Sequence, residues 1–299
     1  MRRAAPREDG RRRLAGIGLM CLALLCFTGI DTSAKWLGRG LPPLEVAFVR
    51  YLVAAVIAAL VFWPTRVPNA WVTRRPLLQL VRGLCLLGST VFNFVALGHL
   101  QLAETMSISF SAPLLIALLS GPILGERIGA SRWALIGLGF LGVVVVARPT
   151  GVGFHPAMFV AFANVGCYAV YAVITRRLAG VDSAASMLVF STALPVFVLA
   201  PALPAVWVWP SSPSVWLVAA VMGACGALGH LLLILAFARA PASVVAPFTY
   251  TQILWMTLCG WLVFGDLPGV STVLGGAIVM ASGVGLLWLE RRGASSAGG

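Results

Sequence analysis

The sequence predicts an all-α polytopic membrane protein: ten transmembrane helices arranged as two inverted five-helix halves. Three observations carry this. The 299 residues are 60% hydrophobic and 10% charged, whereas a soluble domain carries about 25% charge, so the chain lacks the polar surface to cover itself in water. Its apolar residues fall into ten runs, each near the length of about 20 residues that a bilayer crossing needs. A shift of 141 residues lays the first half on the second. The composition alone excludes disorder, a coiled coil and an ordinary cytosolic enzyme.

In chain order the runs are roughly 14–37, 44–63, 76–98, 102–122, 130–148, 155–175, 184–204, 214–238, 243–265 and 270–289, broken by charge, Pro and Gly. The first follows Arg11, Arg12 and Arg13, a flank that a signal peptide would share. It is longer than a usual signal core and carries Asp31 and Lys35, so it reads as a retained span. The longest connections are 64–75 and 205–213 (AVWVWPSSP), with Trp207 and Trp209 as interface anchors. None holds a second folded domain. Pro195, Pro201 and Pro204 curve the seventh span. Glycines 223, 226 and 229 on the eighth, and 275, 276, 283 and 285 on the tenth, permit close helix approach. The organisation is thus a basic tail (1–13), a first half (14–148), a second half (155–289) and a polar tail (290–299).

The net charge is +12, and the placement of the basic residues explains it. With the N-terminus in the cytoplasm, 16 of the 21 fall on the cytoplasmic side: Arg2, Arg3, Arg7, Arg11, Arg12, Arg13, Arg66, Arg74, Arg75, Arg127, Arg132, Arg176, Arg177, Arg239, Arg291 and Arg292. Lys35, Arg39 and Arg148 lie outside, and Arg50 and Arg82 lie within spans. The positive-inside rule then places both termini in the cytoplasm of a bacterial-type inner membrane. The charge is a topology signal suited to an anionic leaflet, and no nucleic-acid partner is needed. Six cysteines sit in apolar runs without a C-x-x-C pair and read as small hydrophobes.

Under the 141-residue shift Cys26-Phe27 falls on Cys167-Tyr168, Lys35 on Arg176, Leu37 on Leu178 and Gly142 on Gly283. In each half the fourth and fifth spans meet at a Gly-acid pair, Gly125-Glu126 and Gly265-Asp266. Five spans per half is odd, so the second half is inverted. Arg127 and Arg132 turn the first pair inward, and no basic residue marks the second. Inverted repeats are a transporter architecture, with two halves rocking about a site near the midplane.

The stretches LCFTGIDTSAKWLGRGLPPLEVAFVRYLVA and APFTYTQILWMTLCGWLVFGDLP resemble the opening helix pair and the ninth helix of the drug/metabolite transporter superfamily, specifically its EamA-type members. The resemblance includes an Arg on the second helix, here Arg50, and covers about 14–290. It implies a ten-helix transporter of a small metabolite, such as an amino acid, riboflavin-like compound or S-adenosylmethionine, in either direction. It does not fix the substrate.

Ionisable groups inside a bilayer are costly and usually functional or paired. Asp31 and Arg50 each lie roughly 9 Å from the external ends of adjacent helices, counting 1.5 Å per residue. With Asn93 and Glu104 they form an outer polar cluster, read either as a structural ion pair or as a gate or zwitterion site. In the second case Arg50 meets a carboxylate and Asp31 or Glu104 an amine. Lys35, one turn above, competes for Asp31. A deeper set comprises Asn164, Tyr168, Tyr171, His230, Tyr250, Gln252 and Trp255, able to stack on and bond a ring-bearing solute, or else to pack. Arg82 snorkels to the cytoplasmic side. His99 and His155 meet water at external ends. Pro113 and Pro247 break the fourth and ninth helices, as expected of a transport site.

No G-x-x-x-x-G-K-[ST] is present for ATP hydrolysis, no G-x-S-x-G for an intramembrane serine protease, and the three histidines are dispersed. The sequence therefore reads as a non-enzymatic secondary carrier without cofactor or metal. Its expected partners are a small-molecule substrate and the bilayer; a monomer suffices and a homodimer is compatible. An exporter of drugs or other metabolites is the alternative, and a channel or scaffold the remote one.

Overall fold

The structure, a computed structural model, describes residues 6–63, 67–112, 114–116, 118–119, 130–147, 155–178, 181–210, 212–239 and 246–296. Among these the extended elements are all helical. The principal helices are α1 (Pro6–Leu37), α2 (Pro43–Val61), α3 (Pro76–Leu97), α4 (Leu102–Ser109), α5 (Ala130–Ala147), α6 (Ala157–Leu178), α7 (Ala184–Leu199), α8 (Pro213–Arg239), α9 (Gln252–Cys259) and α10 (Val270–Ser296). Proline opens α1, α2, α3 and α8, where its missing N–H costs nothing. α1 begins inside the stretch expected to be a tail.

Six helices are long and apolar enough to cross a membrane: Leu14–Leu37, Pro43–Val61, Pro76–Leu97, Ala157–Thr175, Ala184–Val206 and Pro213–Leu233. Leu102–Ile116, Trp133–Val146, Phe248–Phe264 and Val270–Gly285 are shorter apolar stretches, so the described residues establish six full spans of the ten expected. The ninth run is not one regular helix. A 3-10 segment (Ala246–Thr251) leads into α9, and a π-helix (Gly260–Phe264) follows it. The seventh run breaks at a 3-10 turn, Ala200–Ala202, whose Pro201 cannot donate to the helix ladder. Pro113 and the Gly125-Glu126 turn lie outside the described residues.

α1 packs along α8, α6 along α3, and α5 along α10. The first two seams match under the 141-residue shift. A Cβ on Gly88 of α3 would stand 3.3 Å from the Cys167 sulfur of α6. A Cβ on Gly229 of α8 would stand 3.1 Å from the Cys26 Cβ of α1. The two-repeat layout fits this packing. At the α5–α10 crossing a Cβ on Gly142 would meet the Gly275 carbonyl oxygen at 2.8 Å and the Val279 nitrogen at 2.9 Å, so these backbones touch. The main core joins Ile30, Ala34, Val46, Tyr51, Leu87, Phe94, Met222 and Met256 from five helices.

Contacts between connections sort the bundle's two ends. At one end, the Val208 N–H donates to Glu45 Oε2 at 2.9 Å, and His99 stacks on His155 with centroids 5.0 Å apart. Trp207 sits edge-on to Trp209 there, and Trp209 is exposed. At the other end, Asp182 accepts from the Arg74 N–H (2.9 Å), the Thr73 hydroxyl (2.6 Å) and the Gln79 amide (2.8 Å). Burial alone would push the Asp182 carboxyl up. The three donors and the Arg74 charge outweigh it and hold the group below the ordinary carboxylate range.

Arg82 does not snorkel. It is 1% exposed, because α7 lies over it. Its guanidinium donates to Gln79 Oε1 (3.0 Å), the Ser191 hydroxyl (2.8 Å) and the Met187 carbonyl, above the Tyr171 ring.

Two stability outcomes follow. Gly142→Ala overpacks a backbone crossing and lowers stability by about 1–3 kcal/mol in detergent thermal unfolding. Gly137→Ala, with open space at its Cβ position, does not. Because the native Asp182 value is depressed, its stabilisation is complete above about pH 3.9 and disappears as pH falls through the native value. Unfolding scans at pH 7 show Asp182→Ala melting below wild type, and the gap closes in acid.

Candidate functional site

Polar side chains from four helices converge where α1, α2, α3 and α6 meet. Asn93 of α3 is the hub: its Nδ2 donates to Asp31 Oδ1 of α1 at 2.8 Å. Its Oδ1 lies 3.5 Å from Asn164 Nδ2 of α6, a long donor contact. The Ser89 hydroxyl donates to Asn164 Oδ1 at 2.6 Å, so Asn164 is held on both edges. Ser89, Thr90 and Asn93 recur at four- and three-residue spacing and so share a face of α3.

Arg50 of α2 closes the cluster by a directional relay. Its guanidinium donates to Thr90 Oγ1 at 3.1 Å. Thr90 and the Tyr51 hydroxyl are 2.7 Å apart, and Tyr51 reaches the Leu86 carbonyl at 3.3 Å. With Tyr51 donating to that carbonyl, Thr90 accepts from Arg50 and donates to Tyr51. The Arg50 guanidinium also lies 4.7 Å over the Tyr51 ring. Arg50 is within electrostatic reach of Asp31 and of His230 on α8, and among the described residues no contact ion pair joins Asp31 to Arg50. Arg50 Nε is buried without a hydrogen-bond partner, as are the hydroxyls of Thr28 and Thr32. At 100° per residue, Thr28, Asp31, Thr32 and Lys35 occupy one sector of α1 about 100° wide. Hydrogen-bonding capacity therefore remains unspent along the face that carries Asp31.

Of the residues singled out from sequence, the structure brings Asp31, Arg50, Asn93 and Asn164 together and sets His230 beside them. The His230 ring tilts against Phe27, centroids 5.1 Å apart. Glu104 is elsewhere: its Oε2 accepts from the Gln101 N–H at 3.0 Å and caps α4. Tyr168 turns outward, 43% exposed, and Tyr171 packs beside it beneath Arg82. Tyr250 is buried edge-on to Phe110. Gln252 is buried. Trp255 packs with Met20, Leu24 and Ala236, its indole N–H buried without a partner. Pro247 lies in the 3-10 segment before α9.

Lys35 does not take Asp31. Its ammonium pairs with Asp266 Oδ2 at 2.7 Å and donates to the Leu100 carbonyl at 3.0 Å. Sequence reasoning missed Ser89, Thr90, Tyr51, Thr28, Thr32 and this pairing. The helical spacing of Thr28 and Thr32 around Asp31, and of Ser89 and Thr90 before Asn93, is the signal that finds the hydroxyls beside Asp31 and Asn93.

The EamA-like transporter family model matches residues 14–148 and again 155–288. The chain belongs to the EamA-like transporter family. It is 28% identical over 281 residues to an S-adenosylmethionine uptake transporter of Rickettsia bellii (strain RML369-C), covering 94% of this chain and 96% of that one. It is 29% identical over 272 residues to a riboflavin transporter of Vibrio cholerae, covering 90% and 91%. It is 26% identical over 279 residues to a pseudopaline exporter of Pseudomonas aeruginosa, covering 91% and 95%. A solved crystal structure shares the fold, with a TM-score of 0.64 at 22% identity over 95% of this chain and 98% of that one. This EamA-like chain is thus a multi-pass membrane protein of a family of small-metabolite transporters.

The Thr90 relay carries one stability outcome. Thr90→Val strips Arg50 and Tyr51 of their shared partner and costs about 1–3 kcal/mol. Thermal unfolding of purified protein checks it, with Tyr51→Phe expected to cost less because Thr90 keeps Arg50.

Proposed function

We propose that this chain is a secondary carrier that moves a small zwitterionic or heteroaromatic metabolite across the bacterial inner membrane by alternating access. S-adenosylmethionine-type compounds are the first candidates, since they combine an aminocarboxylate with a ring. The observation that carries the reading is the pair of opposite charges, Asp31 and Arg50, held near one another in an apolar bundle without an ion pair between them.

In this reading Arg50 receives the cargo carboxylate, as a planar guanidinium with an unspent Nε–H suits. Asp31 receives the amine. Asn93 holds the Asp31 carboxylate, Asn93 and Asn164 offer amide edges to the cargo, and Ser89 fixes Asn164. The hydroxyls of Thr28 and Thr32 extend the polar path along α1. His230, Gln252 and Trp255 are the aromatic and amide surfaces for a ring. The halves are 14–148 and 155–289, and both termini are cytoplasmic. Relatives named as uptake transporter and as exporter support carriage in either direction, because an alternating-access fold follows the gradients of the states it binds.

The test is saturable flux into proteoliposomes of S-adenosylmethionine, amino acids and riboflavin, by wild type, Asp31→Asn and Arg50→Gln. Wild type shows saturable uptake of at least one. Each variant loses a charge-assisted contact worth about 1.5–3 kcal/mol, or about 10–100-fold in apparent affinity. No saturable flux of any of these, or full transport by both variants, contradicts the proposal.

A further inference from the structure

The Lys35–Asp266 ion pair stands one helical turn beyond Asp31, on the same sector of α1. It spans 231 residues of sequence and fastens the end of α1 to the turn that follows α9. Lys35 also reaches the Leu100 carbonyl at 3.0 Å, between α3 and α4, and covers the Phe264 ring at 4.9 Å. Arg39, one turn further on, covers the same ring at 5.0 Å. Asp266 is aimed by its backbone. The π-helix winds Gly260–Phe264 wide, Gly265 reverses the chain at φ +73°, and the Asp266 N–H returns to the Gly260 carbonyl at 3.1 Å. A left-handed glycine is an ordinary helix stop, and here it fixes where Asp266 leaves the π-helix.

Lys35 has a second carboxylate in reach. Side chains four apart on a helix are neighbours, about 5–6 Å between Cβ atoms, and a lysine is a mobile point charge on a flexible stem. Asp31 accepts from Asn93 through Oδ1, and an ionised carboxylate has about four acceptor positions. The contacts on Asp266 hold this end of the bundle shut, and the alternative lies on the residue that the cargo meets.

We infer that Lys35 is a two-position latch that competes with the cargo's ammonium group for Asp31. On Asp266 it closes this end of the path between the halves and leaves Asp31 to the cargo. On Asp31 it stands in the ammonium's place, frees Asp266, and the end opens. One carboxylate cannot hold both cations, so bound cargo keeps the latch on Asp266. A ligand shifts a conformational equilibrium only through its different affinity for the two states, and this competition supplies that difference. It also narrows the cargo class: a metabolite with a protonated amine holds the latch on Asp266, and a neutral ring system does not. The competition rests on the proposed binding of cargo at Asp31; the latch itself is tested without cargo.

Hydrogen–deuterium exchange of the full chain in lipid nanodiscs reads the latch at amides 98–101 and 261–267, with amides 67–73 at the opposite end as the control for folding. Asp266→Asn speeds exchange at the first two segments about tenfold, as expected for losing a charged hydrogen bond. Asp31→Asn removes the competing partner and slows exchange below wild type. S-adenosylmethionine slows the wild-type segments, riboflavin does not, and Lys35→Met exchanges fast with either. Unchanged exchange in Asp266→Asn overturns the latch. Wild-type exchange in Asp31→Asn overturns the two positions and leaves a fixed closure. If both variants behave as stated and S-adenosylmethionine moves nothing, the latch stands and the cargo competition, with the reading beneath it, is overturned.

Discussion

Asn93 is the contact on which the arrangement depends. Its amide nitrogen donates to Asp31 on α1, and its amide oxygen faces Asn164 on α6. A carboxylate inside an apolar bundle is tolerated only with compensation, because lost hydration costs several kcal/mol for a buried ion. Asn93 supplies one hydrogen bond, and Arg50 lies within electrostatic reach without contact. Neither saturates the carboxyl group, which keeps free acceptor positions. The same amide spans the sequence halves, since α1 and α3 lie before residue 148 and α6 after it. A change at this junction is therefore felt in both.

The seams around the junction explain why it is held in place. α1 on α8 and α3 on α6 are matched crossings, each with a cysteine of one helix laid on a glycine of the other. Small residues let backbones approach where no hydrophobic drive separates helix from lipid. The ends of the bundle are fastened differently. One carries the Lys35–Asp266 pair, and the other the Asp182 acceptor site for Thr73, Arg74 and Gln79. Both link the first half of the sequence to the second, so each end has a polar clasp between the halves.

Much of this was legible in the residues. Hydropathy and the shift of 141 gave the helical layout, and equal depth brought Asp31 and Arg50 to one level. Depth alone puts Asn164 in a separate, deeper set, because depth along one helix does not show which helix crosses it; the α3–α6 seam does. Helical spacing makes Lys35 a competitor for Asp31, and a turn 231 residues away offers the carboxylate it takes. Position near a helix end suggests that Arg82 snorkels, but α7 covers it with a carbonyl and a hydroxyl that no local pattern reveals. Glu104 is a similar case. Its carboxylate accepts from the Gln101 N–H at the start of α4, and Gln101 is not among the residue types that mark a helix start in sequence. The ninth run is less regular than its hydropathy suggests: 3-10 and π segments interrupt the helix within a stretch that is apolar throughout.

The central claim is that cargo lies between Asp31 and Arg50 at the junction of the halves. A cryo-electron microscopy structure of the full chain in nanodiscs with S-adenosylmethionine tests it most directly. The account predicts ligand density bridging the two side chains, its carboxylate on Arg50 and its ammonium on Asp31, with Asn93 still bonded to Asp31. Density at another place in the bundle, with Asp31 and Arg50 closed on each other as an ion pair, would contradict it.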